Sequence, residues 1–329
     1  MANELLTDAV GDAATLTALI NKSPFNPGTI ARLKLFDESG ISTVDMVIDR
    51  EEDALTILPT VPRGGVASPH LSGASDGIKV SATHIPTRTT IHADQIQDRR
   101  QPGTNNLDSI ERVRAKHVMG MRKNLEGTIE HQRYGAIKGL ITDVDGSELL
   151  NVYAAFGVTQ VTKAMALAST SRTIVNVVID AERASEDALG GETPSEYVAL
   201  CAPDFMDALR ANPSYSNDIR YARPSELLND FRTGITIGNT TFIEVRSTPG
   251  LPVRIPAGEG YLVPMGIADL LITRYAPGDY LSTVNTPGLP LYANIEEGPM
   301  GKCVHLEAQS NPLSICTRPR SIIRLLASE

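Results

Sequence analysis

Three acids, Asp143, Asp145 and Glu148, crowd the stretch Asp143-Val144-Asp145-Gly146-Ser147-Glu148, and carboxylates spaced this closely can replace the water shell of a calcium ion. A calcium loop needs its glycine sixth. Here it is fourth and the ligand spacing fails beyond it, so a β-hairpin turning at Asp145-Gly146 is expected. Cys201, Cys303 and Cys316 are an odd number without a CxxC pair, which argues against a disulfide framework or structural zinc. Each reads as a small buried apolar residue. Cys303 and His305 lie two apart in a predicted strand and so share a face, which reads as packing. The other histidines, His70, His84, His92, His117 and His131, form no HExxH. His117 and His131 fall on roughly one side of a long helix, where a solvated or interface role is expected. Gly40-Ile41-Ser42 and Gly146-Ser147 lack the frame of a serine-hydrolase elbow, and no Walker loop or GxGxxG occurs; Gly258-Glu259-Gly260 lacks the third glycine. Acids at 49–53 and 180–187 read as surface. No catalytic, metal or cofactor-binding residue is therefore assigned. Carboxylate pairs need not be neighbours in the chain, so a soluble α/β enzyme built on dispersed acids stays open as an alternative.

The 329 residues are 41% hydrophobic and 21% charged, a globular composition long enough for two domains or for one with long excursions. A net charge of −9 opposes tight nonspecific binding of nucleic acid by the whole surface. The charge is segregated: residues 86–138 carry ten Lys or Arg against six acids, +4 in all, leaving −13 elsewhere. Such a division suits a subunit that finds its own copies in one orientation, although a solvated helix face would look the same. No apolar run reaches the roughly 20 residues of a membrane span, and MANELLTDAV lacks the regions of a secretory signal. The expectation is a soluble chain in a reducing cytoplasm, with no membrane partner.

Hydrophobic periodicity predicts the elements. Leu5, Leu6, Val10, Leu16, Leu19 and Ile20 outline a weak amphipathic helix in the first 23 residues. Over 41–93, short β-favouring runs (44–48, 55–58, 78–83, 89–92) alternate with Gly and Pro, giving a long two-stranded excursion that must rest on another surface. Leu107, Ile110, Val113, Val118, Met121, Leu125, Ile129 and Ala136 predict a helix over 107–139, about 50 Å long at ~1.5 Å per residue. A hairpin over 140–156 follows, then a helix ending at Gly190-Gly191. Beyond 197 the expectation is a strand (197–202), helices at 203–211 and 224–232, a hairpin at 234–246 turning at Gly238-Asn239, and strands at 261–264 and 270–275. Three further strands (289–295, 304–308, 322–326) lack local partners, and the 140–156 hairpin is their expected host.

Several segments carry a resemblance: Asp98-Arg99-Arg100, Asp143-Val144-Asp145-Gly146, Val198-Ala199-Leu200-Cys201, Phe231-Arg232-Thr233-Gly234, Ile255-Pro256-Ala257-Gly258-Glu259, and above all VNTPGLPLYA (284–293) and LEAQSNPLSICTRP (306–319). In these the chain resembles the lambda-type major capsid proteins of tailed phages, the phage major capsid protein E family. The resemblance implies an α+β architecture, the Hong Kong 97-type phage capsid fold. Its parts would be an N-terminal arm (1–40), an extended loop (41–93), a peripheral domain with the long spine helix (94–191 and 285–329) and an axial domain (192–284). It implies a subunit that self-assembles into hexamers and pentamers of an icosahedral shell around double-stranded DNA, in the host cytoplasm and then the virion. It also implies a scaffold, a portal, a possible cementing protein and nonspecific DNA contact, without a cofactor. Arg63, Arg88, Arg99 and Arg100, in or beside the bridging loop, are the expected inter-subunit contacts. Lys79 is the loop's one lysine, so lysine–asparagine cross-linking is not expected. An encapsulin-like cellular compartment of the same fold is the alternative.

Overall fold

The computed structural model describes residues 13–22, 28–50, 76–97, 109–168, 174–213, 234–246 and 255–328. They divide into two compact units, each assembled from separated stretches: one within 1–46, 80–130 and 272–314, the other within 47–79, 131–271 and 315–329. In chain order the elements are α1 (Ala13–Lys22), α2 (Thr29–Leu33), β1 (Asp37–Gly40), β2 (Asp45–Arg50), β3 (Asp76–Ser81), β4 (Ile85–His92), α3 (Ala93–Ile96) and α4 (Ile110–Lys138). Then come β5 (Leu140–Thr142), β6 (Glu148–Asn151), α5 (Val152–Ala155), β7 (Thr162–Ala164), α6 (Ile174–Ala188), β8 (Glu196–Cys201) and α7 (Pro203–Ala211). The remainder are β9 (Ile235–Ile237), β10 (Thr240–Glu244), β11 (Glu259–Met265), β12 (Leu271–Tyr275), β13 (Tyr292–Glu297), β14 (Cys303–Ser310), β15 (Pro312–Cys316) and β16 (Ile323–Leu326).

The first unit is built where α4 meets an antiparallel sheet ordered β13-β14-β4. Val118, Met121, Leu125 and Ile129 recur three or four residues apart along α4, so one stripe of the helix is apolar. Ile91 of β4, Ala293 of β13, and Val304, Leu306 and Ala308 of β14 alternate along their strands, so one sheet face is apolar too. Leu16 and Ile20 of α1 join the same core. Each fully buried Leu or Ile there contributes about 1.5–3 kcal/mol. Polar bonds fix α1: Thr17 Oγ1 donates to the Ala293 carbonyl at 3.1 Å, Asn21 Nδ2 to that of Leu291 at 2.9 Å, and the Arg122 guanidinium to that of Ile20. The Ile30 N–H donates to the buried Glu130 carboxylate at 2.9 Å. A second sheet, β1-β12-β15, has β1 parallel to β12.

The second unit centres on a six-stranded mixed sheet ordered β7-β16-β11-β8-β10-β9. Its middle strand β8 is buried from Tyr197 to Cys201, as a strand covered on both faces should be. On it α7 supplies the fully buried Phe205, Met206 and Leu209. The apolar face of α6 (Ile174, Val177, Val178, Ala181) is buried as well. Ser185 Oγ ties α6 to the turn before β16 by donating to the Ser321 carbonyl at 2.7 Å.

The two long helices, the hairpin at Gly238-Asn239 and the strands at 261–264 and 270–275 lie where periodicity put them. Gly139, at φ 82°, ends α4 in the left-handed conformation that only glycine adopts without strain. The host for the later strands does not. Among the described residues the β5-β6 hairpin pairs only with itself; β13 pairs with β14 and β14 with β4, β15 joins β12, and β16 slots between β7 and β11. The hairpin's second strand also stops at Asn151 instead of running to 156, because the Asn151 side chain accepts from the Ala154 N–H at 3.0 Å and starts α5. β4 runs through Pro86, which sequence treats as a break. It is an edge strand, where the missing N–H goes unmissed. The strand at 55–58, the helix at 224–232, and Arg63, Arg99 and Arg100 lie outside the described residues.

Candidate assembly surfaces

The calcium reading ends in the turn itself. The Asp145 carboxylate accepts from the Ser147 N–H at 2.9 Å and the Ser147 hydroxyl at 2.6 Å, while Asp143 accepts from the Val144 N–H at 2.7 Å. These bonds hold the Asp145 carboxyl below its ordinary range, the Ser147 hydroxyl first among them. Among the described residues no group of three or more His, Cys, Asp or Glu is placed to hold a metal ion. Cys303 and His305 do share a face, Sγ to Nε2 3.8 Å, and the far side of that imidazole meets the Thr90 hydroxyl at 2.9 Å. Burial pushes the Cys316 thiol up to about 12 and that of Cys201 well above its usual range, so neither is a nucleophile near neutrality. His131 is buried, not solvated. The acids of α6 are only partly surface: Glu182 accepts from Thr240 Oγ1 at 2.6 Å, and Tyr197 reaches both its carbonyl and the Glu186 carboxylate.

Three surfaces could serve contact instead. The first is the ribbon of β2 and β3, which among the described residues pair only with each other. Ser81 Oγ donates to Asp45 at 2.6 Å at the ribbon's base, and Val44 and Val47 stand exposed along it. A two-stranded ribbon has no core of its own, so its stability must come from what it rests on.

The second is the outer face of the β13-β14-β4 sheet. Opposite the apolar face, alternation places Arg88, Thr90 and His92 on β4, Cys303, His305 and Glu307 on β14, and Asn294 and Glu296 on β13. Arg88 is exposed and directly opposite Glu307, and among the described residues it makes no ion pair. Glu307 is engaged from elsewhere, accepting from the Tyr280 hydroxyl at 3.1 Å.

The third is the segment between β12 and β13, which covers one end of that face. Tyr280 packs edge-on against Tyr292 with ring centroids 6.5 Å apart. At Gly288 it crosses the backbone of β1 and β12: the Gly288 N–H donates to the Ile41 carbonyl at 3.0 Å, and a Cβ there would lie 2.0 Å from the Tyr275 oxygen. Periodicity marks this stretch only as turn residues, Asn285-Thr286-Pro287-Gly288, before a strand at 289–295, and the family resemblance runs through 284–293 without giving it a contact role. The signal that could have found it is its lack of charge.

In the second unit, Glu244 sits at the end of β10 between two arginines, 2.7 Å from Arg246 and 3.4 Å from Arg210. The Arg246 hydrogen bond, chiefly, holds its carboxyl below the usual range. Glu259 is likewise clasped by Arg324 and accepts from the Tyr261 hydroxyl at 2.7 Å. These arrangements fasten β10 to α7 and β11 to β16.

Comparison with solved structures gives the class. The chain is similar to the mature capsid subunit of bacteriophage PhiM1 (TM-score 0.52, 14% identity, covering 94% of this chain and 90% of that one). It is similar also to the capsid of Myoviridae phage XM1 (TM-score 0.54, 10% identity, covering 93% and 94%). The fold is the Hong Kong 97-type α+β fold of phage capsids. At the level of sequence the chain belongs to the phage major capsid protein E family, whose model matches residues 12–327. Its relatives include the major capsid protein of Pseudomonas phage KPP10, 25% identical over 256 residues (70% of this chain, 72% of that one). Another is the major capsid protein of Salmonella phage Felix O1, 24% identical over 355 aligned positions covering 95% of both. The protein is thus a structural component of the phage head shell, present in the virion.

Proposed function

We propose that copies of this chain associate as hexamers and pentamers and close an icosahedral shell around double-stranded phage DNA, without catalysing a reaction. Membership of the major capsid family carries this reading. Within it, residues 1–40 act as the arm, 41–93 as the extended loop with the β2–β3 ribbon as its stem, 94–191 and 285–329 as the peripheral domain, and 192–284 as the axial domain. The ribbon, paired among the described residues only with itself, supports the loop assignment. Many modest contacts per copy stabilise such a lattice, because engagement at one edge raises the effective concentration at the next. Assembly takes place in the host cytoplasm around a scaffold, with a portal at one vertex, a cementing protein outside and nonspecific contact to DNA inside.

Arg63, Arg88, Arg99 and Arg100 remain the proposed inter-subunit contacts; the exposure of Arg88 and its lack of an ion partner among the described residues support its share. Electron microscopy of the purified chain tests the whole reading. Uniform closed shells or capsomers are expected, and small discrete oligomers alone would refute it. Charge reversal at Arg88, Arg99 and Arg100 should abolish shells while the subunit's circular dichroism is unchanged; normal shells from that variant would reject the arginine assignment. The relatives, which are phage proteins, favour a phage head over an encapsulin-like compartment. Mass spectrometry of shells from infected cells distinguishes them, since a single cargo enzyme in place of tail components would reverse the choice.

A further inference from the structure

Residues 280–295 are the longest uncharged run in the sequence, sixteen residues in a chain of which 21% are charged. At ordinary composition about three charges would fall in such a run. Part of it is core: Leu291, Tyr292 and Ala293 are buried. The rest is not. Leu281 is 97% exposed, Val284 58% and Leu289 44%.

Scattered apolar residues on a surface are ordinary, so exposure alone decides little. Two further observations set this segment apart. The first is that it is held stiffly. Thr283 Oγ1 donates to the carbonyls of Gly278 at 2.6 Å and Tyr280 at 2.9 Å, and Thr286 Oγ1 to that of Thr283 at 2.7 Å. The Leu289 N–H donates to the Tyr292 hydroxyl at 2.9 Å, and the Gly288 crossing and the Tyr280–Glu307 bond pin the two ends. Leu281 and Val284 therefore project from a scaffold that loses little freedom when they are buried, which is what an efficient contact anchor requires.

The second is charge. Exposed Val47 stands between Asp45 and Asp49, and exposed Val144 between Asp143 and Asp145, whereas Val284 has no charged residue within four positions. The chain carries a net charge of −9, and a second copy is the one partner certain to bring that same charge with it. Copies can meet without like-charge juxtaposition only through a neutral patch or a segregated basic one. Cores of protein interfaces are correspondingly depleted in charge.

We infer that the segment bearing Leu281, Val284 and Leu289 is a self-association surface, an uncharged apolar knob that is buried against a second copy of this chain. The inference rests on the shell-building reading and adds where one contact lies. Three side chains do not cover the roughly 800 Å² per partner of a standard interface, so they serve as anchors within a larger patch.

Leu281→Glu and Val284→Glu test it, with Leu281→Ser as the milder truncation and wild type alongside. Shell yield is read by sedimentation and electron microscopy, and folding by circular dichroism and thermal midpoint of the unassembled subunit. The Glu variants should keep the wild-type midpoint and lose shell yield at least roughly tenfold, with Leu281→Ser intermediate, as hot-spot truncations behave. Wild-type shells beside normal shells from all three variants would overturn the inference alone. So would normal shells that have lost an accessory head protein, since the knob's occupant would then be that protein. Wild-type protein that forms no capsomer or shell would overturn the shell reading, and this inference with it.

Discussion

Replacing Gly288 with alanine should weaken the first unit more than any other single methyl added at a described glycine outside the left-handed region. The new Cβ would stand 2.0 Å from the Tyr275 carbonyl oxygen, 2.5 Å from its carbon and 2.6 Å from the Ala276 carbon. All three are backbone atoms, and ordinary contact begins near 3.4 Å, so the chains must part by more than 1 Å. Gly40 guards the same crossing from the other side, its own Cβ position being 2.1 Å from the Gly288 oxygen. Overpacking typically costs about 1–3 kcal/mol, and the rigid backbone on both sides argues for the upper end. Parting also strains the bonds from the Gly288 N–H to Ile41 at 3.0 Å and from the Ile41 N–H to Tyr275 at 2.9 Å. At about 1 kcal/mol each, these bring the expected loss to roughly 3–5 kcal/mol. With about 2–4 °C per kcal/mol, calorimetry of the unassembled subunit should show a midpoint lower by roughly 6 °C or more. Gly120→Ala is the control: it lies inside α4 with nothing within 4 Å of the added methyl, and should raise stability by about 0.5–1 kcal/mol. A Gly288→Ala subunit that melts within about a degree of wild type would refute the steric reasoning.

Other outcomes follow from the sites already described. Glu244→Gln removes a carboxylate held below its ordinary range; that stability is present above the unfolded value of about 4.3 and is lost as pH falls through the folded one. Urea unfolding should therefore show a deficit of about 1 kcal/mol at neutral pH that closes in acid, and a deficit independent of pH would count against the Arg246 clamp. A thiol reagent at pH 8 should modify one cysteine of three in the native protein, the half-exposed Cys303, and all three in denaturant; rapid native labelling of Cys316 would contradict its burial. Phe205→Ala, at a fully buried position on α7, should cost about 3–5 kcal/mol in denaturant unfolding, and a loss under 1 kcal/mol would show that the site collapses freely.

What sequence makes legible here is local. The apolar stripe of α4, the Pro203 start of α7 and the left-handed glycines after α4 and α6 are written in residues a few positions apart, so these elements were readable. Strands made by distant partners were not. β1 is Asp-Glu-Ser-Gly, a turn by composition; it is a strand because it pairs with β12, where Arg274 Nη1 binds Asp37 at 2.8 Å and the Tyr275 hydroxyl donates to Glu38 at 2.8 Å. The short β7 exists for the same reason, alongside β16. Choosing contact residues by charge singled out arginines, of which only Arg88 falls among the described residues. The uncharged segment at 280–289 escaped that choice because absence of charge draws no attention until its exposure and stiffness are known.

The place of β16 bears on how the protein is made. The six-stranded sheet needs that strand between β7 and β11, so it cannot close until residues 323–326 have left the ribosome. Roughly 120 residues separate β8 from β16, an interval of about 6–24 s at 5–20 residues per second. For the later half of that time the apolar β11 waits without its β16 neighbour. A nascent chain therefore has no finished second unit to offer a growing lattice, and translation itself delays recruitment until β16 has emerged. The same delay leaves a chain stalled before β16 with apolar strands uncovered, a natural target for chaperones and proteases.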